Sequence, residues 1–193
     1  PRRYRGCLAS PLKAVPDRKD PNVGRLIYPC CRLNELCRTP DPCPIPLIHD
    51  LVGDLFHGNY GWTCDIRSWF YAFAIHPDVA SKYFATSDHA GRQFAHVRGP
   101  MGWSHMPFIA CAVANALLRE AMAGTDARGH VWIDDVVVSA PSQKTAARVQ
   151  ASFITLCQSL RIELRDVTTV STRLTAVGLD IDLPEKRLSL IHI

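Results

Sequence analysis

Three stretches of the chain repeat their apolar residues at helical spacing. The first contains Leu47, Ile48, Leu51, Val52 and Leu55. The second, FIACAVANALLREAMAG, follows Pro107, ends at Gly124 and is apolar on nearly every side. The third, QKTAARVQASFITLCQSL, follows Ser142 as a candidate N-cap and has Val149, Phe153, Leu156 and Leu160 on one face. Spacings of three and four residues place side chains on one helix face, so the sequence predicts three helices, the second of them central.

The remaining apolar stretches have the pattern of β-strands. RLIYPC and GWTCDIRSWFYAFAIHP predict strands, KYFATSDHAGRQFAHVRGP predicts a hairpin around a polar turn with Gly91, and RIELRDV, TAVGLDIDL and KRLSLIHI alternate like the edge strands of a sheet. TPDPCPIP predicts a loop, because proline cannot lie inside a helix. This order of elements is an α+β pattern: an antiparallel sheet with two helices on one face.

Two adjacent carboxylates interrupt an otherwise buried strand pattern in HVWIDDVVVSAP. Neighbouring side chains of a strand point to opposite faces, so Asp134 and Asp135 converge only if the chain turns between two short strands. A plain polar turn is the other interpretation, since Asp favours turns. Asp65, in WTCDIRSWF, is a third carboxylate among β-forming residues. Two carboxylates within about 4 Å repel by roughly 4 kcal/mol at an effective dielectric of 20, so such a cluster favours a cation. Three acids suit Mg²⁺ and two-metal phosphoryl transfer.

Composition narrows the class of protein. The chain has 193 residues, 47% of them hydrophobic, enough for one domain or two small lobes. We find no apolar run of about 18 residues and no signal peptide, and we expect an intracellular protein, cytoplasmic or nuclear, with no membrane contact. The eight cysteines form no CxxC pair, which favours reduced, buried thiols over disulfides or a zinc site. The first 37 residues hold eight Arg or Lys and three Asp or Glu, which fits a phosphate-bearing partner or an ordinary solvated surface.

Several motifs, in order, resemble the fingers and palm of retroelement reverse transcriptases of the retrotransposon type. SPLKAVPDRKDPNVGRLIYPCCRLNEL resembles the fingers segment that ends in Arg-x-Leu-Asn, and CDIRSWFYAFAIHP resembles the first catalytic motif. GPMGWSHMPFIA resembles the Pro-x-Gly turn and the helix that follows, WIDD resembles the Tyr-x-Asp-Asp turn, and VGLDI resembles the Phe-Leu-Gly primer-grip hairpin. Asp65 and Asp134 are 69 positions apart. The resemblance covers most of the chain.

The resemblance implies an α+β fold of the right-hand polymerase type. Its palm would be an RRM/ferredoxin-like antiparallel sheet with two helices on one face, joined to a fingers subdomain. Residues 1–57 and 75–106 would form the fingers, residues 58–74 the first part of the palm, and residues 107–193 the rest of the palm with a primer-grip-like hairpin. We find no thumb-like helices after this hairpin and expect a catalytic core cut from a larger polyprotein.

The resemblance also assigns candidate site residues. Asp65, Asp134 and Asp135 would be the catalytic metal ligands for two Mg²⁺ ions, with Mn²⁺ as a possible substitute. The nucleotide-binding residues would be Arg25, Lys19 (or Arg18), Phe70, Met101 and Gly102. The template and primer residues would be Trp132, Pro107 and Gly178. Each has a simpler interpretation: Phe70 as core packing, Lys19 as plain surface, Gly102 as a turn glycine.

The activity that the resemblance implies is RNA-directed DNA polymerisation, adding deoxynucleotides to a primer 3′-hydroxyl. The partners would be an RNA or DNA template with its primer, deoxynucleotide triphosphates, and the rest of a retroelement polyprotein (thumb, ribonuclease H, integrase or recombinase). Trp132 replaces the usual Tyr, and Thr168 stands where the family often has a lysine that protonates pyrophosphate, with Arg165 nearby as a poor proton donor. These departures leave open a decayed or domesticated module that only binds nucleic acid or serves as an assembly surface.

Overall fold

The structure, a computed structural model, describes residues 9–11, 13–16, 24–28, 30–88 and 90–191; for residues 9–11, 13–15 and 24–27 it describes the backbone alone. The chain divides into two compact units. The first unit comprises Pro1–Pro42 and Phe70–Phe108, and the second comprises Cys43–Trp69 and Ile109–Ile193. The division into fingers and palm segments stays a prediction.

The described residues form groups of strands separated by helices. The strands are β1 (Ala9–Pro11), β2 (Lys13–Pro16), β3 (Gly24–Ile27), β4 (Tyr60–Ile66), β5 (Ala85–Ser87), β6 (Gln93–Ala95), β7 (Arg128–Trp132), β8 (Asp135–Ala140), β9 (Leu164–Arg165), β10 (Arg173–Ala176), β11 (Leu179–Asp182) and β12 (Arg187–Leu190). The helices are α1 (Cys31–Leu36), α2 (Ile48–Leu55), α3 (Pro77–Tyr83), α4 (Met106–Met122) and α5 (Gln143–Ser159), with a 3₁₀ helix at Trp69–Ala72. No helix in this part of the chain is both long and apolar enough to span a membrane.

The first unit contains a small sheet in the order β1-β5-β6 and a separate β2–β3 hairpin. β5 and β6 form the predicted hairpin, and Gly91 in its turn has a φ of 74°. Helix α3 precedes this hairpin and was not predicted, although Pro77 at its first turn is a typical helix start. Tyr28, Leu33 and Phe84 are buried together in the core of this unit.

The stretch GWTCDIRSWFYAFAIHP was predicted as one strand, and this is wrong beyond Ile66. Strand β4 ends there, and Phe70 lies in the 3₁₀ helix instead of a strand. Ser68 has a φ of 51°, so the backbone leaves the extended direction. The turn lets Trp69 become buried, where its indole Nε1 donates to the Ala110 carbonyl at 3.1 Å.

The second unit is built on an antiparallel sheet in the order β7-β8-β4-β9. Trp62 of β4 packs on Phe153 of α5 with ring centroids 5.8 Å apart, and Trp62 lies directly opposite Val138 of β8. Gly129 of β7 lies directly opposite Val138, on the same face of the sheet. A Cβ at Gly129 would lie only 3.2 Å from Cδ2 of Leu118, so α4 packs on this face as well. Helices α4 and α5 therefore share one face, as the sequence predicted.

The opposite face of this sheet carries helix α2 and the C-terminal strands. Leu51 and Leu55 of α2 form one buried cluster with Val137 of β8, together with Leu174, Leu179, Ile181 and Leu183. Strands β10, β11 and β12 pair antiparallel, which confirms the predicted tail strands. Val177 and Gly178, with φ of 46° and 79°, form the two-residue turn between β10 and β11, the pattern of a type I′ turn.

Two details of the predicted helices are wrong. Helix α4 was predicted to be central, but Val113 is 38% exposed, and the fully buried residues, among them Ala110, Ala114 and Leu118, lie on one face. Helix α5 was expected to bury Leu156 and Leu160; its buried stripe is instead Ala146, Val149, Phe153 and Cys157. Leu160 lies at the C-cap, after the last helical residue, and so is exposed. The predicted N-cap is confirmed, since Ser142 accepts from the Thr145 backbone N–H at 3.1 Å.

The described cysteines are all free thiols. Cys30, Cys64, Cys111 and Cys157 are buried, as predicted, but Cys31 is exposed and Cys37 and Cys43 are only partly buried, so the prediction of buried thiols is wrong for these three. Burial raises the pKa of the Cys64 thiol to about 12. Cys7 lies outside the described residues.

His96 is expected to make the stability of the chain depend on pH. Its Nε2 is buried without a hydrogen-bond partner among the described residues, and burial lowers its pKa from the ordinary 6.5. The unfolded chain then binds the proton more tightly than the folded chain, so stability falls as pH drops through about 6.5. We expect the free energy of unfolding of the wild type to fall more between pH 7.5 and 5.5 than that of His96→Phe, which keeps a ring against Tyr28. Urea unfolding at both pH values measures this, and equal losses would refute it.

Candidate active site

Three carboxylates converge at one end of the sheet in the second unit. Asp65 is in β4 and Asp135 is the first residue of β8, directly opposite it in the register. Residues directly opposite in an antiparallel pair lie on the same face, so these two side chains are neighbours. Asp134 precedes Asp135 in the turn, and one carboxylate oxygen from each of the three lies within 4.8 Å of the others. They form the only group of three potential metal ligands among the described residues.

A two-residue turn brings Asp134 to the cluster. Trp132 pairs with Asp135, which leaves Ile133 and Asp134 as the loop of the β7–β8 hairpin. Ile133 has a φ of 63° and Asp134 has no positive φ, the pattern of a type II′ turn. A β-branched residue at positive φ costs about 1–3 kcal/mol, and such strain often occurs at functional sites. The predicted turn between two short strands is thus confirmed, with strain that the sequence did not indicate.

Neighbouring elements hold this turn in place. The Asp134 carbonyl accepts from the Ile66 backbone N–H at 2.9 Å, which ties the turn to the end of β4. Trp132 packs against the buried cluster beneath the sheet. The carboxylates are therefore presented from a backbone that is fixed on two sides.

The electrostatics of the cluster favour a cation. Asp134 and Asp135 both keep solvent-exposed surface. Partial burial nevertheless raises the pKa of Asp134, and the nearby Asp65 raises it further. Burial also raises the pKa of Asp135, and the charges of Asp134 and Asp65 raise it further. Desolvation and like charge both disfavour the ionised forms, and a cation among the oxygens would reverse both effects.

Arg165 is part of this cluster, whereas sequence reasoning placed it only near the position expected for the lysine. It lies in β9 directly opposite Asp65, on the other side from Asp135, and its Nη2 contacts Asp65 Oδ2. Asp65 raises the pKa of Arg165 through this contact. The sequence shows only an alternating pattern in RIELRDV; the register that aligns Arg165 with Asp65 is a tertiary property.

Thr168, at the position expected for a proton-donating lysine, has a structural role. Its Oγ1 accepts from the Thr63 backbone N–H at 2.8 Å, and its own N–H donates to the Thr63 carbonyl at 2.9 Å. Thr168 thus fastens the segment after β9 to β4.

An open groove of about 360 Å³ runs from the carboxylates to the β10–β11 turn. Asp65, Asp135, Arg165, Thr168 and Gly178 line it. The structure therefore places Gly178, a predicted primer residue, along the same groove as two of the three aspartates.

The other predicted site residues belong to the first unit. Phe70 is half-buried in the 3₁₀ helix, Met101 is 44% exposed, and Pro107 lies in the first turn of α4. Gly102 has a φ of 104°, and a Cβ there would lie 2.8 Å from the Tyr28 carbonyl, so the position requires glycine. Arg25 is described in its backbone alone, within β3, and Lys19 and Arg18 lie outside the described residues.

Asn34 is a further residue that holds the loop around Gly102. Its Nδ2 donates to the Gly102 carbonyl at 2.9 Å, and its Oδ1 accepts from the Ser104 backbone N–H at 3.0 Å. Asn34 ends the segment that resembles the Arg-x-Leu-Asn motif, although Cys31 stands at the arginine position of that motif. This resemblance was the only sign in the sequence that Asn34 has a special role.

Comparison with known proteins identifies the architecture. No protein family and no curated protein matches the sequence. A solved structure of a foamy viral protease-reverse transcriptase in complex with double-stranded DNA aligns with a TM-score of 0.77 and 18% identity, over 91% of this chain. The fold is reverse-transcriptase-like. The foamy viral enzyme in complex with an RNA/DNA hybrid aligns at 0.71 and 16% identity over 94% of the chain. The chain spans 30% and 24% of the lengths of these two structures.

Proposed function

We propose that this chain is the nucleotide-adding core of a retrotransposon-type reverse transcriptase, an RNA-directed DNA polymerase. The observation that carries the proposal is the cluster of Asp65, Asp134 and Asp135 within a reverse-transcriptase-like fold. The retrotransposon assignment rests on the motifs of the sequence. In this proposal the second unit contains the palm and the first unit contains the fingers.

The three carboxylates suit magnesium. Mg²⁺ takes oxygen ligands at about 2.1 Å, so two oxygens across one ion are about 4.2 Å apart. The carboxylate oxygens lie within 4.8 Å of one another, close to that spacing. We assign Asp65 and Asp134 as the residues that would hold two Mg²⁺ or Mn²⁺ ions, with Asp135 completing the cluster. When bound, these ions would activate the attacking hydroxyl and stabilise charge on the leaving pyrophosphate.

The groove beside the cluster is the proposed path of the primer strand. Gly178 in the β10–β11 turn has no side chain, which lets a sugar-phosphate backbone approach closely. A primer lying there would end beside Asp65 and Asp135, which line the same groove. The protein's main contribution would be to position the 3′-hydroxyl next to the carboxylates.

The remaining roles follow the motif resemblance. Arg25 and Lys19 would bind the triphosphate, where a guanidinium offers paired donors to phosphate oxygens. Met101 and Gly102 would line the nucleotide pocket, and Asn34 would hold that loop through its two hydrogen bonds. Trp132 and Pro107 would support the template and primer. The expected partners are a primed RNA or DNA template, deoxynucleotide triphosphates and the rest of a retroelement polyprotein.

Phe70 is proposed to exclude ribonucleotides by placing its ring beneath the sugar of the incoming nucleotide. We expect Phe70→Val to lower the preference for dTTP over UTP by about tenfold or more, because a smaller side chain leaves room for the 2′-hydroxyl. Single-nucleotide incorporation with each substrate measures this. Phe94→Val is the matched control, since Phe94 is 50% exposed in β6. An unchanged sugar preference in Phe70→Val would mean that Phe70 only packs in the core and does not select the sugar.

Primer extension on poly(rA)–oligo(dT) with dTTP tests the proposed function. Extension should require Mg²⁺ or Mn²⁺ and stop when EDTA is added. A folded chain that binds the duplex and extends nothing with either ion would contradict the polymerase assignment and favour a module that only binds nucleic acid. A longer segment of the same polyprotein, assayed in parallel, shows whether further domains restore activity.

A further inference from the structure

We propose that Arg165 is an internal counter-cation of the aspartate cluster, and that its guanidinium competes with a divalent metal ion for Asp65. This inference rests on the proposed function, because it concerns the same carboxylates. Arg165 would accordingly be a positioning residue that tunes metal affinity and takes no part in the chemistry.

Three strands align the charges in one row across the sheet. Asp135 of β8, Asp65 of β4 and Arg165 of β9 occupy directly opposite register positions. The side chain of Asp65 is 14% exposed and lies between an acid on one side and a guanidinium on the other. Arg165 Nη2 contacts Asp65 Oδ2, and Asp65 is one of the three residues that could hold a metal.

A metal ion and the guanidinium cannot both contact the same oxygen without repulsion. Two unit positive charges about 4 Å apart repel by roughly 4 kcal/mol at an effective dielectric of 20, and a divalent ion increases this. The 55% exposure of Arg165 means that solvent screens much of the effect, which leaves a moderate difference in affinity. Metal binding at Asp65 is therefore expected to displace the guanidinium.

The guanidinium has a second partner within reach. Arg165 Nε lies 3.3 Å from Oδ2 of Asp166, whose side chain is 73% exposed. Asp166 has a φ of 51°, which turns the chain directly after β9. When a metal takes Asp65, Arg165 can keep an ion pair with Asp166, so release from the cluster does not leave its charge unpaired.

Mn²⁺ binding to the full 193-residue chain, followed by electron paramagnetic resonance, tests the competition without requiring activity. Arg165→Gln is expected to lower the Kd for Mn²⁺ by about three- to tenfold and to lower the Tm of the metal-free chain. Arg173→Gln is the matched control. Arg173 is also an exposed arginine directly opposite a half-buried aspartate, Asp182 at 2.9 Å, but lies outside the cluster. The Arg173→Gln variant should therefore have the same Kd for Mn²⁺ as the wild type.

A second variant keeps the test decisive if Arg165→Gln does not fold. Asp166→Asn removes the alternative partner and should hold Arg165 on Asp65, raising the Kd for Mn²⁺ by about two- to threefold. Glu163→Gln is its control: it removes one nearby acid whose partner is Arg67.

The two proposals fail in different ways. Mn²⁺ binding that requires Asp134 but has the same or a higher Kd in Arg165→Gln would overturn the competition and leave the metal site standing. Mn²⁺ binding that is absent, or is unaffected by Asp134→Asn, would overturn the proposed function and with it the inference. A lower Tm with an unchanged Kd in Arg165→Gln would make Arg165 a structural ion pair only.

Discussion

Asp134→Asn is expected to reduce nucleotide addition by at least about a thousandfold. The substitution replaces an anionic oxygen ligand with a neutral amide, and metal activation of the reacting oxygens contributes several kcal/mol, which corresponds to about three orders of magnitude in rate. The turn geometry should survive, because Asp134 holds its place through its backbone carbonyl, which accepts from Ile66. The measurement is the rate of dTTP addition to oligo(dT) on poly(rA) at saturating Mn²⁺ and Mg²⁺.

The same substitution should slightly stabilise the metal-free chain. Burial and the neighbouring Asp65 raise the pKa of Asp134 above its ordinary value of 3.8. The folded state then binds the proton more tightly than the unfolded state. Ionising Asp134 therefore lowers the stability of the folded chain as the pH rises above the ordinary pKa of 3.8. Asn carries no such charge, and the free energy of unfolding in EDTA at pH 7 should rise by up to about 1 kcal/mol. The difference from wild type should vanish below about pH 3.8.

Opposite effects on activity and stability separate a ligand role from a folding role. Asp126→Asn is the matched control, an exposed aspartate between α4 and β7, and it should change neither quantity appreciably. Activity in Asp134→Asn close to that of the wild type would show that Asp134 is not a metal ligand. Loss of activity together with a large loss of stability would point to the turn instead.

Local pattern was enough to predict the hairpin that carries the aspartates. The β-branched residues after Asp135 predicted a buried strand and the two acids predicted a turn. The turn is observed one residue earlier, at Ile133 and Asp134, and Asp135 already belongs to β8. Ser142 and the amphipathic stretch after it predicted α5 for the same reason: capping and periodicity are local properties. The buried stripe of α5 was misplaced by one position at its C-terminal end, because the choice between Leu156 and Cys157 depends on what the sheet presents.

The pairing register of β9 and the change of chain direction after β4 could not be predicted from local sequence patterns. Nothing in RIELRDV indicates that Arg165 comes to lie opposite Asp65, since that depends on how β9 pairs across 100 positions of sequence. The positive φ of Ser68, which ends β4 and starts the 3₁₀ helix, is equally hidden, because serine rarely adopts it without tertiary contacts such as those of Trp69. The sequence therefore located the carboxylates but did not show that Arg165 lies beside them.

Gly61→Ala is expected to destabilise the chain by about 3 kcal/mol or more and to abolish nucleotide addition with it. A Cβ at Gly61 would lie 2.4 Å from the Val138 carbonyl oxygen and 2.8 Å from Leu174 Cδ1. Backbone hydrogen bonds to Ser171 at 2.8 and 2.9 Å hold Gly61 from the other side, so the strand cannot move away freely. Separating β4 from β8 at this point would also displace Asp65, four positions further along β4.

The same chemical change at Gly53 should have the opposite sign. Gly53 lies within α2, and a Cβ there would meet nothing within 4 Å. Alanine in a helix interior is more favourable than glycine by about 0.5–1 kcal/mol, so Gly53→Ala should be stabilising and remain active. Urea unfolding of both variants, with primer extension alongside, measures the contrast. Equal stabilities for the two variants would mean that β4 and β8 are not packed as closely as their register implies, and the position of Asp65 beside Asp135 would have to be revised with it.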